Sequence, residues 1–190
     1  LNSFMQIHLY SLESGNQVPL TTDRINSVNP CWSPDGRFIY FLSDRNLRSV
    51  VSSPWGTRQP EPYFDKPNKI FVLSLQKGVS SPFKPANELA NIAERQEKPK
   101  GENEGVPNIL IDLEGIQKRI REVPVPPGRH GSLNVNEKAL FWVERGVGYG
   151  SPSQLKAIPI GNKDPKVVTV AEGIRGFEFS SDTKKIMFQK

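Results

Sequence analysis

Short apolar runs alternate with polar turns along the whole chain, and the runs fall into two recurring kinds. The first opens on a large apolar residue, passes through a polar turn and a basic residue, and ends in an apolar strand. Trp32-Ser33-Pro34-Asp35-Gly36-Arg37-Phe38-Ile39-Tyr40-Phe41 is the strongest copy, and Phe179-Ser180-Ser181-Asp182-Thr183-Lys184-Lys185-Ile186-Met187-Phe188 repeats it. Leu133-Asn134-Val135-Asn136-Glu137-Lys138-Ala139-Leu140-Phe141-Trp142 is a weaker third. Ser33-Pro34-Asp35-Gly36 predicts a tight type I turn. Proline presets φ at its second position, Asp35 accepts a local backbone bond, and Gly36 takes the positive φ that follows. Asn136 and Asp182 align with Asp35 and are expected to do the same work.

The second kind is a strand running into a reverse turn and a return strand. Gln6-Ile7-His8-Leu9-Tyr10-Ser11-Leu12 precedes Ser14-Gly15, and Lys69-Ile70-Phe71-Val72-Leu73-Ser74-Leu75 precedes Lys77-Gly78. Asn108-Ile109-Leu110-Ile111-Asp112-Leu113 before Gly115 and Gln154-Leu155-Lys156-Ala157-Ile158-Pro159-Ile160 before Gly161 are read as later copies. The returns are Val18-Pro19-Leu20-Thr21, Ile120-Arg121-Glu122-Val123 and Val167-Val168-Thr169-Val170. From Leu133 to Phe179 the period is 46 residues, within the range of a four-stranded propeller blade.

Phe38-Ile39-Tyr40-Phe41-Leu42 is apolar at every position, so both faces of that strand are expected to be buried. A sheet with one wet face would alternate instead. Radially stacked sheets bury both faces of their middle strands and hide most edges. The expected fold is therefore all-β: a β-propeller fragment of about three to four blade-like antiparallel sheets, with a short helical or disordered insertion. A β-sandwich is the alternative. Residues 1–190 read as one partial propeller, with blade-like units at about 1–45, 46–145 and 146–190, and inserts at 46–68 and 86–107. The first insert is rich in proline and aromatics and predicts a packed, extended loop. In the second, Leu89, Ile92 and Ala93 offer a short helical face ahead of a charged, solvated run. Three or so units do not close a ring, so exposed strand edges should make the segment aggregate or pair.

Composition narrows the classes. The longest charge-free apolar runs are far short of the ~18 residues a membrane helix needs, and 24% charged residues suit a globular domain rather than a disordered tail. The 17 prolines and 15 glycines favour many short connections over helical bundles. The net charge of +5 is spread along the chain without a basic stripe interleaved with aromatics, so nucleic acid is not an expected partner. Lys118-Arg119-Ile120-Arg121 alternates like a strand and reads as a solvated face. Cys31 is the single cysteine, which excludes an internal disulfide or a multi-thiolate zinc site.

Candidate chemistry is sparse. A serine hydrolase needs a hydroxyl, a base in reach and a group to orient that base, and His8 and His130 are the available imidazoles. His8 is expected to be a packed or edge residue of a strand, and His130 to face solvent or cap a strand end. No Gly-x-Ser-x-Gly elbow occurs. Gly146-Val147-Gly148-Tyr149-Gly150-Ser151 runs into another strand rather than the helix N-terminus a phosphate loop requires. Glu94, Glu97, Glu102 and Glu104 are interleaved with Arg95, Lys98 and Lys100 as a solvated mixture. Arg45, Arg48 and Arg58 could hold a carboxylate, but bridging to Asp44, Glu61 or Asp65 is the favoured reading. No catalytic, cofactor-binding or metal-binding residue is assigned, and no cofactor is expected.

Trp32-Ser33-Pro34-Asp35-Gly36-Arg37-Phe38-Ile39-Tyr40-Phe41-Leu42-Ser43-Asp44-Arg45 resembles the blade motif of the TolB-type and tricorn-type propellers. Prolyl-oligopeptidase and dipeptidyl-peptidase propellers carry similar strings. Ser53-Pro54-Trp55-Gly56-Thr57-Arg58-Gln59-Pro60-Glu61-Pro62-Tyr63-Phe64-Asp65-Lys66 adds specificity, together with the run from Lys69 to Leu75 and Ser81-Pro82-Phe83. With Ile111-Asp112-Leu113-Glu114-Gly115-Ile116 and Val123-Pro124-Val125-Pro126-Pro127-Gly128, these segments are similar to the bacterial tricorn-like serine peptidases. The similarity covers most of the chain, both inserts included. It implies a multidomain peptidase in which a six-bladed and a seven-bladed propeller precede a PDZ-like domain and the catalytic core. This chain would be a piece of the seven-bladed one, channelling or filtering peptides during proteolysis. The implied partners are peptides or unfolded polypeptide, the rest of the propeller, the catalytic core, and further copies in a homo-oligomer. The implied location is the cytoplasm, with a bacterial periplasm as the alternative, and no membrane. The family's catalytic residues have no counterpart here. A TolB-like interaction platform without catalysis is the second reading, and a prolyl-oligopeptidase-type propeller the third.

Overall fold

A computed structural model describes residues 3–46, 65–85, 109–146 and 150–190. The strands are β1 (His8–Tyr10), β2 (Gln17–Pro19), β3 (Ser27–Trp32), β4 (Phe38–Ser43), β5 (Lys69–Ser74) and β6 (Ile120–Glu122). They continue as β7 (His130–Val135), β8 (Ala139–Glu144), β9 (Gln154–Pro159), β10 (Val168–Glu172), β11 (Gly176–Phe179) and β12 (Ile186–Gln189). A single 3-10 turn at Ile116–Arg119 is the one helical element among the described residues. Two four-stranded antiparallel sheets, β3-β4-β5-β6 and β7-β8-β9-β10, are flanked by the hairpins β1-β2 and β11-β12. Each full sheet begins at the strand ahead of the turn motif, so the hydrogen-bonded unit is a different phase of the repeat from one counted at 45 and 145.

Period-two alternation of side chains sends the central strands' apolar residues to both faces. Ile39, Phe41, Phe71 and Leu73 meet Ile7, Leu20 and Leu9 of the first hairpin. Phe38, Tyr40, Leu42, Ile70 and Val72 meet Leu133, Val135, Leu140 and Trp142 of the next sheet. Phe141, Val143 and Leu155 meet Phe177, Phe179 and Ile186 of the last hairpin. The four sheets therefore stack in chain order with a dry layer between each pair. β4 is buried at all six positions, as its unbroken apolar run predicts, whereas the outer strands β6 and β10 are largely wet. A two-layer sandwich would not give three successive interlayer cores.

The turns explain why the copies fold alike. Gly36 N donates to Ser33 O at 2.9 Å with Gly36 at φ 67°. Ser33 Oγ donates to Asp35 Oδ1 (2.5 Å) and accepts from Phe38 N (2.9 Å), while Asp35 Oδ1 also accepts from Arg37 N (3.1 Å). Ser180, Asp182, Lys184 and Lys185 reproduce this set, with Thr183 at φ 53° in the glycine's place. The third copy is shorter. Val135 pairs Leu140 as Trp32 pairs Ile39, so in the ladder Asn136 stands where Ser33 does, yet its Oδ1 accepts from Lys138 N as Asp35 Oδ1 does from Arg37 N. The same Asn136 oxygen also caps Ala139 N, and the turn closes over Glu137 and Lys138 alone.

Two further expectations are corrected. Residues 109–113 form no strand; Asp112 N donates to Leu75 O at 2.9 Å, extending the edge beyond β5. The return strand β6 pairs directly with β5, Phe71 opposite Glu122. Lys118-Arg119-Ile120-Arg121 is the end of the 3-10 turn and the start of β6; Lys118 and Arg121 are exposed as expected, whereas Arg119 is half-buried. Its guanidinium donates to Ser74 O (2.9 Å), Leu75 O (3.2 Å), Glu114 O (3.2 Å) and Asp112 O. Five donors in a rigid fork suit such a cluster of carbonyls. The insert at 86–107, with Leu89, Ile92 and Ala93, lies outside the described residues, as do 47–64 of the first insert.

Candidate functional site

The two imidazoles are separated by the fold. His8 is exposed on β1, at the edge, where Gln6 Oε1 lies 3.3 Å from its Nε2 and Gln17 Nε2 lies 3.0 Å from its Nδ1. His130 opens β7, at a strand end as one of its two expected placements had it, and is buried there rather than facing solvent. Asn68 clasps its backbone from both sides, accepting from His130 N and donating to His130 O, each at 3.0 Å. Gly128 bridges Asn68 through paired backbone bonds. A Cβ on Gly128 would stand 2.5 Å from the His130 ring, so the approach needs glycine.

The His130 ring meets Trp142 edge-on at 5.8 Å. Its Nε2 stands 2.9 Å from Pro126 O; a carbonyl only accepts, so Nε2 carries the proton. Nδ1 is then the lone-pair nitrogen, without a hydrogen-bond partner and 3.9 Å from Glu144 Oε2. Glu144 itself pairs with Lys156 at 3.2 Å. Burial lowers the ring's pKa below its ordinary value, against a raising pull from the Pro126 carbonyl and Glu144. The corner thus holds a neutral imidazole between two sheets, engaged by backbone and an aromatic edge. Among the described residues, no hydroxyl or thiol is a partner of either histidine ring, so neither shows there the hydroxyl–base contact that nucleophilic catalysis requires.

The other candidates resolve in the same direction. Arg45 feels the charge of Asp44, which pulls its pKa up, but burial outweighs that pull and lowers it, and its guanidinium lies 5.7 Å over the Phe71 ring. Asp44 accepts instead from Asn26 Nδ2 at 2.8 Å. Arg48 and Arg58, and the carboxylates from Glu94 to Glu104, lie outside the described residues. The glycine loop at 146–151 is described only at its ends, and β9 follows it. Among the described residues no three His, Cys, Asp or Glu side chains stand close enough to hold a metal. Cys31 is half-buried, and burial pushes its thiol up to about 12, which keeps it unreactive as a thiolate.

A cleft of about 610 Å³ opens beside the turn after β5, lined by Ser81, Phe83, Lys84, Arg119, Arg121 and Glu122 among others. Its charges are mostly committed. Arg119 holds the carbonyls already named, Arg121 holds Lys118 O and Ile120 O at 2.8 Å each, and Glu122 takes Lys69 at 2.6 Å. Lys84 is exposed on the rim above the buried Phe83. Such a cleft offers an apolar floor and an exposed cation, Lys84, rather than an acid–base pair.

Serially stacked antiparallel sheets, two of them four-stranded, dry between layers and without an assembled nucleophile and base among the described residues, define a β-propeller segment. The sequence relationship specifies which: residues 1–190 match the tricorn protease second beta propeller domain, and the chain belongs to that family. The tricorn protease of Thermoplasma volcanium is 27% identical over all of this chain and 18% of its own length. A putative tricorn-like protease C-terminal subunit of Sulfurisphaera tokodaii is 24% identical over 92% of the chain and 18% of its own length. An uncharacterized peptidase of Bacillus subtilis is 30% identical over 39% of the chain and 14% of its own length. The crystal structure of the tricorn protease shares the fold, with a TM-score of 0.69 and 23% identity over 97% of this chain and 17% of that one. The chain thus spans under a fifth of the relatives it matches.

Proposed function

We propose that this chain is a noncatalytic propeller segment that channels or sorts peptides for a downstream serine-peptidase core. The observation that carries the reading is the state of its two histidines, each engaged, among the described residues, by amide, carbonyl or aromatic neighbours and neither by a nucleophile. Family membership supports the attachment to a peptidase, since the full-length relatives are named as proteases. On this reading the partners are peptides, the remaining blades, the PDZ-like and catalytic domains, and further copies of the parent. The parent works in the cytoplasm, away from nucleic acid and membrane; no described helix is long and apolar enough to cross a bilayer.

The test pairs two assays on the purified chain. Fluorogenic peptides should show no turnover, and dye-labelled unfolded peptides should bind saturably by fluorescence anisotropy. Turnover lost on His8→Ala or His130→Ala, or no peptide binding at all, would overturn the proposal. Reading the parent gene separates the nearest rival: a serine-peptidase core downstream supports this account. A parent that ends after its remaining blades favours a TolB-like interaction platform.

A further inference from the structure

The two full sheets fan apart from their first strands. β3 and β4 pack against β7, and no comparable contact joins the outer strands β6 and β10 among the described residues. A wedge therefore opens between the sheets toward their wet outer strands, and the chain after β5 fills it. Val79 and Phe83 pack into the core that the two sheets share, and the Phe83 ring meets Tyr40 edge-on at 6.5 Å. Lys84 N donates to Ser81 O at 3.0 Å, closing a turn that leaves Lys84 on the surface. The filling is incomplete. The cleft of about 610 Å³ remains between this turn and the ends of β5 and β6.

Alternation along the strands decides what faces the cleft. Arg121 stands opposite Val72, a core residue of the face shared with the second sheet. Its side chain rises on that face, and Ser74, two residues on from Val72, rises beside it. Cations dominate the lining, with Lys84, Arg119 and Arg121 against Glu122 alone. Glu122 is already neutralised by Lys69 at 2.6 Å and accepts a further bond from Asn46 at 2.6 Å. Arg119 spends its donors on carbonyls, which carry no net charge to offset its own. Arg121 holds both of its carbonyls through Nη1. That leaves its Nε–Nη2 edge, whose two parallel N–H bonds fit a carboxylate. Lys84 makes no ion pair among the described residues.

We propose that this cleft docks an acidic segment of a partner polypeptide, its carboxylates reaching Lys84 and the free edge of Arg121 and an apolar side chain resting on Val79 and Phe83. Charge and shape both argue for a peptide. The surrounding charge is positive and the floor is apolar. A volume of about 610 Å³ lies within the ~300–1,000 Å³ of ligand pockets, room for a few residues and not for a folded domain. A free phosphate would leave the floor unused. Nucleic acid asks for stacking aromatics beside the basic groups, whereas Phe83 is buried and packed on Tyr40. The proposal is independent of the peptide-sorting role, which asks for no charge on the peptide.

The probe is a dye-labelled peptide alternating glutamate and leucine, titrated with the purified chain by fluorescence anisotropy beside a twin with lysine for glutamate. The acidic peptide should bind saturably and more weakly as salt rises, and the lysine twin should not bind. Lys84→Glu and Arg121→Glu should each lower its affinity about tenfold, and Arg121→Lys, which keeps the charge and loses the two-donor edge, should fall between. Both positions are exposed, so near-ultraviolet circular dichroism should be unchanged. A benzophenone on the acidic peptide should label residues 78–85 and 119–122, read by mass spectrometry. Neutral unfolded peptides should bind the two charge-reversed chains as they bind the parent, so this proposal and the sorting role fail separately. Equal binding of the lysine twin, indifference to both reversals, labelling elsewhere, or displacement by inorganic phosphate as effective as by unlabelled acidic peptide would overturn the proposal.

Discussion

His130 sets the pH response of the fold at the scale of a single residue. Burial lowers its pKa in the folded state, while the unfolded ring titrates near ~6.5. Between the two values the unfolded chain binds more protons, so stability rises with pH. Its contribution is present above about pH 6.5 and is lost as pH falls toward the folded pKa. Urea midpoints measured at about pH 5 and about pH 8 should differ for the parent chain, and the difference should shrink in His130→Phe. Glu122, lowered by Lys69 and Asn46, and Asp182, lowered by Ser180 and the Lys184 amide, act in a separate window. Their contributions are present above the ordinary carboxylate pKa and lost as pH falls below it. The cramped approach to the ring gives a second check. Gly128→Ala drives a Cβ into the imidazole and should cost about 1–3 kcal/mol. Gly131→Ala, with open space around it, should stay within about 0.5 kcal/mol. Thermal or urea denaturation measures both.

At the scale of an element, the stretch from 109 to 122 is held by Arg119, whose guanidinium ties the 3-10 turn to the end of β5. Arg119→Lys keeps the charge and loses the fork, and a loss of about 1–3 kcal/mol is expected on denaturation. Arg119 also marks where local sequence stops being informative. The hairpins were legible because Ser33-Pro34-Asp35-Gly36 and its copy at Ser180 act through bonds within a few residues. Residues 109–113 looked like a strand because Ile109, Leu110 and Ile111 are apolar, but β5 already pairs with β6, leaving only the Asp112 amide to extend it. The corner at His130 was illegible for the same reason. Trp142 and Lys156 meet through the β8–β9 register, and Asn68 reaches His130 across 62 positions. Period-two alternation places Trp142 and Glu144 on one face of their strand, yet nothing local says which residue will face them.

At the scale of the whole molecule, the stack depends on middle strands that are dry on both sides, and that much follows from Phe38-Ile39-Tyr40-Phe41-Leu42 alone. Phe41 is fully buried and stacks on Phe71 at 5.8 Å between the first hairpin and the first full sheet. Phe41→Ala should therefore cost about 3–5 kcal/mol in urea unfolding. A comparable truncation at the exposed Val170 should change little. Hydrogen–deuterium exchange read amide by amide is the most direct measurement of the stack. Amides of β4, β5 and β8 should exchange last and together, through global opening, while those of β6 and β10 exchange early. If β4 instead exchanged as readily as the outer strands, one of its faces would be open to water, and the layered propeller would be the wrong description of this chain.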